Sequence, residues 1–169
     1  MSGPATEPVL YLLCGKIASG KSTLARDLAL QTGAVAIHED EWLAGLFGDQ
    51  MASIPDYVRC AERLRLVIGP HVVALLNAGT SVVLDFPGNT PDFRAWMMGL
   101  IQQAGVRHEM HVIDMPDAAC WDRLQRRNSE GGNPFKVSRA QFEQITRHFS
   151  APSEADGFII VWHAPDDSR

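Results

Sequence analysis

The stretch Gly15-Lys16-Ile17-Ala18-Ser19-Gly20-Lys21-Ser22, followed by Thr23, constrains this chain more than any other. It meets the pattern G-x-x-x-x-G-K-[ST] at every fixed position. Two glycines let the backbone curl until successive N–H groups point at one centre, a geometry that suits phosphate oxygens. Lys21 brings a point charge to the outer phosphates, and the Ser22 hydroxyl is a ligand for Mg²⁺. A helix starting here aims its positive end at the same anion. The flanks agree: Val9 to Cys14 is a short apolar run suited to a strand buried on both faces, and Leu24, Ala25, Leu28 and Ala29 recur at helical spacing up to Gly33. Strand, glycine loop and helix in that order imply nucleotide phosphate binding.

At 169 residues the chain is expected to be a single domain with a full core, residues 1–8 forming a loose tail. A hydrophobic content of 46% excludes a mainly disordered chain, and no apolar run approaches the roughly 18 residues of a membrane span. The net charge of −5 speaks against a large nucleic-acid footprint, though not against a small basic pocket. Cys14, Cys60 and Cys120 are odd in number and widely spaced, which points to reduced thiols in a cytoplasmic protein rather than disulfides or zinc.

Further along, residues 34–38 read as a second strand running into Glu39-Asp40-Glu41. A helical pattern from Asp56 to about Asn77 is interrupted by Gly69-Pro70, where a kink or split is expected because Pro70 cannot donate to the Leu66 carbonyl. Residues 81–85 form a third strand ending in Asp85. A helix follows from Pro91 to Gln103, then a fourth strand at 108–113 and a helix from Asp117 to about Arg127. Residues 128–137 are the loosest internal stretch and a candidate lid loop. Ser138-Arg139-Ala140-Gln141 opens a helix reaching Phe149 with a capping box, and residues 158–162 are a final strand. Gly33, Gly79 and Gly105 each close a helix shortly before a strand. That repeated punctuation predicts an α/β fold with a mostly parallel sheet and helices on both faces. Ligands then gather beyond the carboxyl ends of the strands, where the glycine loop, Asp40 and Asp85 fall.

Several residues there suit phosphoryl transfer. Asp40 is a candidate base for an acceptor hydroxyl, or alternatively an N-cap for the helix of Trp42 and Leu43; Glu39 or Glu41 takes the role if the strand ends one residue differently. Asp85 is either a carboxylate that holds Mg²⁺ or an Asx-turn residue opening the Pro87-Gly88 loop. Arg123 and Arg127 share a helix face and suit two guanidiniums closing on phosphates; the alternative is dipole complementation, with Asp122 pairing Arg126. Arg59 and Arg63 read as a solvated face, and His38 and His148 as structural. His108 and His111 point to opposite faces of a strand and make no metal pair.

Together these residues resemble small P-loop kinases, the AAA-type ATP-binding family that groups chloramphenicol phosphotransferase, zeta toxins and the kinase part of polynucleotide kinases. The resemblance lies in Gly15 to Thr23, Glu39-Asp40-Glu41-Trp42, Val82-Val83-Leu84-Asp85 with Asn89 and Arg94, and Arg123 through Asn128. It implies a P-loop NTPase three-layer sandwich with strand order 2-3-1-4-5 and a small lid. It also implies that Gly15, Lys16, Ile17, Ala18, Ser19, Gly20, Lys21, Ser22, Thr23 and Arg127 hold ATP, and that Ser22 and Asp85 hold Mg²⁺. By the same resemblance Asp40 activates the acceptor, with Asp85 and Asn89 beside it. Polynucleotide kinases carry arginine where this chain has Leu43 and Gly131, which weighs against a nucleic-acid acceptor. The expectation is an ATP- and Mg²⁺-dependent kinase acting on a hydroxyl of a small molecule. Its rivals are a partner-binding regulatory ATPase and a polynucleotide 5′-kinase.

Overall fold

The computed structural model describes residues 7–131 and 136–165. Most of the expected tail and the centre of the expected lid loop therefore lie outside the described residues. The apolar run before the glycine loop is β1 (Val9–Gly15), and it takes the middle of a five-stranded sheet. On one side stand β3 (Val82–Pro87) and then β2 (Val35–His38); on the other stand β4 (Arg107–Ile113) and then β5 (Ile160–His163). The order is β2-β3-β1-β4-β5 with every pairing parallel, as the resemblance implied.

Alternation along β1 divides the core. Leu10, Leu12 and Cys14 pack with Val82, Leu84, Phe86, Met110 and Val112 under α3 (Ile54–Asn77) and α4 (Pro91–Ala104). Leu13 and Val83 face the other way, against Ala25 of α1 (Lys21–Thr32). A smaller cluster on that side joins Ile113 of β4 to Cys120 and Leu124 of α5 (Asp117–Ser129) and Phe142 of α6 (Arg139–Arg147). Helices thus cover both faces, and both apolar sets of β1 leave water.

Gly33, Gly79 and Gly105 all take positive φ at helix ends, and Ser138 with Gln141 forms the expected capping box. Two expectations change. α2 (Glu39–Phe47) begins at Glu39, so Asp40 lies inside the first turn and His38 occupies the N-cap position. α3 is one continuous helix through Pro70, not a split pair. Pro70 and Leu66 are both exposed, so the Leu66 carbonyl left without its donor stands on the solvent side. Gly69 is buried, and a Cβ there would come within 3.3 Å of Leu100 and 3.5 Å of Trp96 on α4. The Gly-Pro pair therefore permits close helix packing rather than a break.

Candidate active site

The glycine loop has the shape its sequence demands. Ala18 has φ 61 and Gly20 has φ 100, so the chain turns sharply twice before α1. A Cβ at Gly15 would stand 2.6 Å from Ser19 Oγ and 3.3 Å from the Ile113 carbonyl, so a side chain there would force the Ser19 hydroxyl to move. Gly20 gives α1 no side-chain cap and no acidic residue lies in its first turn, so the leading N–H groups are left for an anion. Ser19 Oγ is buried with no hydrogen-bond partner. Lys21 Nζ meanwhile donates to the carbonyls of Gly15 at 2.6 Å and Lys16 at 3.0 Å. Burial lowers its pKa, opposed by the charges of Asp85 and Asp40. These features fit a phosphate group: uncapped donors, an orphan hydroxyl and a lysine resting on carbonyls. Lys16 turns its side chain away, to Asp117 Oδ1 at 2.6 Å and the Met115 carbonyl at 3.2 Å.

Of three adjacent carboxylates, only Asp40 is left for the cleft. Glu41 pairs with Arg26 of α1 at 3.0 Å on the surface. Glu39 is buried, 2% exposed, and accepts from the Tyr57 hydroxyl of α3 at 3.1 Å. Burial pushes its pKa up to about 8, with the Asp40 charge adding to the shift. Asp40 keeps solvent contact, yet loss of hydration raises its pKa, and Asp85 raises it further; Lys21, Arg127 and His38 oppose the shift. Helical placement removes the N-cap alternative for Asp40, since an N-cap residue stands outside the first turn.

Asp85 lies within β3 rather than in a turn, so the Asx-turn alternative also fails. Parallel pairing sets it opposite His38, and His38 Nδ1 meets Asp85 Oδ2 at 2.8 Å. Its other oxygen has no protein partner among the described residues. A carboxylate and the Ser22 hydroxyl are hard oxygen donors of the kind Mg²⁺ takes while keeping several waters. The residues fit that ion.

From the far side, α5 presents Arg123, whose Nη1 lies 3.5 Å from the position of a Cβ on Gly20. One turn on, Arg127 is close enough to Asp40 to lower its pKa. α5 continues through Ser129, so the first two residues of the expected lid loop are helical, and no Asp122–Arg126 ion pair forms among the described residues.

Asn89 departs from its expected place beside the acceptor. Its amide oxygen accepts from Gly15 N at 2.9 Å and its amide nitrogen donates to Gly15 O at 2.7 Å, so both ends are committed to bracing the loop. Arg94 reinforces that brace. Buried at 4% exposure, it donates to the carbonyls of Gly88 at 3.2 Å and Ser150 at 2.8 Å and pairs with Asp156 at 3.3 Å. Ser150 N in turn donates to Asn89 O at 2.9 Å. One signal was available: Arg94, Met97 and Ile101 fall on one helix face, so a cation interrupts an apolar stripe. Nothing local marked Tyr57 or the His38–Asp85 pair.

A family model described as an AAA domain matches residues 10–152. The chain belongs to this AAA domain family. No curated protein matches it. Among solved structures, this AAA domain is similar to a candidate kinase from Chloroflexus aurantiacus, with a TM-score of 0.75 at 18% identity, covering 94% of this chain and 85% of that one. It is also similar to the APS kinase CysC of Mycobacterium tuberculosis in complex with AMPPNP and APS, with a TM-score of 0.63 at 22% identity, covering 96% and 91%. A third is Chaetomium thermophilum Kti12 in complex with ADP-AlF3, with a TM-score of 0.67 at 15% identity, covering 95% and 91%. What these share with the AAA domain described here is the fold, a P-loop sandwich with a parallel sheet between helices.

Proposed function

We propose that this protein is an ATP- and Mg²⁺-dependent phosphotransferase that moves the γ-phosphate to a hydroxyl of a small molecule. The observation that carries the reading is Asp40: the one carboxylate of its cluster left unpaired, facing the loop lysine and Arg127 across the carboxyl ends of the strands. In this reading the leading N–H groups of α1 hold the phosphates, and Lys21 leaves the Gly15 and Lys16 carbonyls to join them. Ser22 and Asp85 would hold Mg²⁺, which would supply positive charge to offset that of the outer phosphates. The acceptor oxygen bonds to the γ-phosphorus, the bond from that phosphorus to the bridging oxygen breaks, and ADP leaves with that oxygen. Asp40 takes the hydroxyl proton, and its raised pKa strengthens it as a base. Arg123 and Arg127 offset the charge on the transferring group.

Incubating the protein with Mg²⁺ and γ-labelled ATP in a fractionated small-molecule pool tests this. Wild type should label an organic product, while Asp40→Asn should lose transfer by about 10²–10⁴-fold with nucleotide affinity kept. Label appearing only as inorganic phosphate would instead support a regulatory ATPase, and transfer by Asp40→Asn at the wild-type rate would remove Asp40 from the role.

A further inference from the structure

In sequence His38 reads as structural, but the fold sets it beside the phosphate loop. It ends β2 at the N-cap position of α2, and its side chain makes no cap hydrogen bond to that helix. The ring turns across the sheet instead. Parallel pairing puts His38 next to Asp85, and Nδ1 meets Asp85 Oδ2 at 2.8 Å. An ionised carboxylate only accepts, so the ring donates from Nδ1 whether it is neutral or charged. Alternation then carries the pair to the loop. Ala36 and Val83 pack on the sheet face that α1 covers, and a period of two puts His38 and Asp85 on that face at its carboxyl end, where α1 begins with Lys21 and Ser22.

The surroundings give that hydrogen bond a task. Asp85 is buried and His38 half-buried. A buried contact between such groups adds little net stability over apolar packing, because both lose their hydration. The second torsion of an aspartate is broad, so nothing intrinsic fixes the plane of its carboxylate. Two charges act on it: Lys21 attracts it and Asp40 repels it. Among the described residues His38 is the one hydrogen-bond partner of the Asp85 side chain, and the bond occupies Oδ2 alone. Oδ1 is left over.

We infer that His38 is a positioning residue of the phosphate site: donation from Nδ1 to Oδ2 fixes the Asp85 carboxylate and leaves Oδ1 as its single oxygen for Mg²⁺ or for a water of that ion's shell. The inference rests on the phosphotransferase reading, in which Asp85 and Ser22 hold the ion. Mg²⁺ demands near-ideal octahedral geometry, so a carboxylate held in one plane and offering one oxygen suits it better than one free to turn. His38 touches neither phosphate nor acceptor in this role and acts through Asp85. Removing such a supporting hydrogen bond costs metal affinity about 10- to 100-fold.

The test follows binding of a fluorescent ATP analogue to the full chain, with Mg²⁺ titrated from a metal-free start in EDTA. Wild-type affinity should rise as Mg²⁺ is added. His38→Phe keeps a ring and removes the donor. Its metal-free affinity should stay within about threefold of wild type, which reports that it is folded, while the Mg²⁺ concentration giving half the gain rises about 10- to 100-fold. His38→Leu, which removes the ring as well, should behave alike. In an Asp85→Ala background neither substitution should move that concentration further, because the two side chains act as one unit. An unchanged Mg²⁺ midpoint in both variants, even with a lower urea midpoint, overturns the inference and leaves the kinase reading standing. An equal shift in the Asp85→Ala background does the same, since His38 would then act through another contact. Wild-type affinity indifferent to Mg²⁺ overturns both the inference and the assignment of Asp85 and Ser22 as metal ligands.

Discussion

At the scale of single residues, the site separates three consecutive carboxyl groups by environment. Glu41 is solvated and paired, Asp40 faces the phosphate loop, and Glu39 is sealed against Tyr57 with its Oε1 unpartnered. A buried carboxyl with one neutral hydrogen bond and two acidic neighbours is held in its protonated form. The pH dependence follows. From its ordinary value of 4.5 up to about 8, folded Glu39 keeps a proton that the unfolded chain has lost. Its contribution to stability is complete below about pH 4.5 and is lost as pH rises through about 8. Glu39→Gln, a neutral isostere that still accepts from Tyr57, should remove that loss. Urea unfolding at pH 5 and pH 8 checks it: wild type should fall relative to the variant, and parallel behaviour would mean that Glu39 is ionised throughout. Ionised Glu39 would also add a third negative charge beside Asp40 and Asp85.

At the scale of elements, the loop between β3 and α4 does more than connect them. Gly88 N donates to the Leu13 carbonyl at 3.0 Å, and a Cβ on Gly88 would stand 2.9 Å from that same oxygen. Backbone cannot yield there as a side chain would. Gly88→Ala should therefore cost about 1–3 kcal/mol in a denaturant midpoint, and nucleotide affinity should fall because Asn89 moves off Gly15. Gly69→Ala makes a useful contrast. Its close neighbours are side-chain atoms of Leu100 and Trp96, and alanine favours the helix by about 1 kcal/mol, so a far smaller change is expected at equal burial.

At the scale of the whole molecule, Arg94 joins parts of the chain that are remote in sequence. Through Gly88, Ser150 and Asp156 it pins the segment before β5 against the loop that braces β1. Arg94→Met keeps volume but strands two carbonyls and removes the partner of Asp156. A loss of about 2–4 kcal/mol in urea unfolding is expected, together with weaker ATP-analogue binding. An unchanged midpoint would show that the clamp bears no strain.

Much of the fold was legible because its signals act within a few residues. The glycine loop, the left-handed helix ends at Gly33, Gly79 and Gly105, and the Ser138–Gln141 box are closed by backbone groups three to five positions away, so residue types at fixed spacing suffice. Asp40 was legible only as one of three candidates. Choosing it required knowing that α2 starts at Glu39 and that α3 and α1 take up its two neighbours. The His38–Asp85 pair, the Asn89 brace and the Arg94 clamp span 47, 74 and 56 positions. Such contacts exist only once parallel register sets one strand beside another, and no local pattern encodes that register. By itself the sequence determined a parallel α/β chain with a glycine loop of a shape that suits phosphate. The tertiary structure decided which carboxylate faces that loop and which are silenced by burial or pairing, because each depends on desolvation and charge brought together across the sheet.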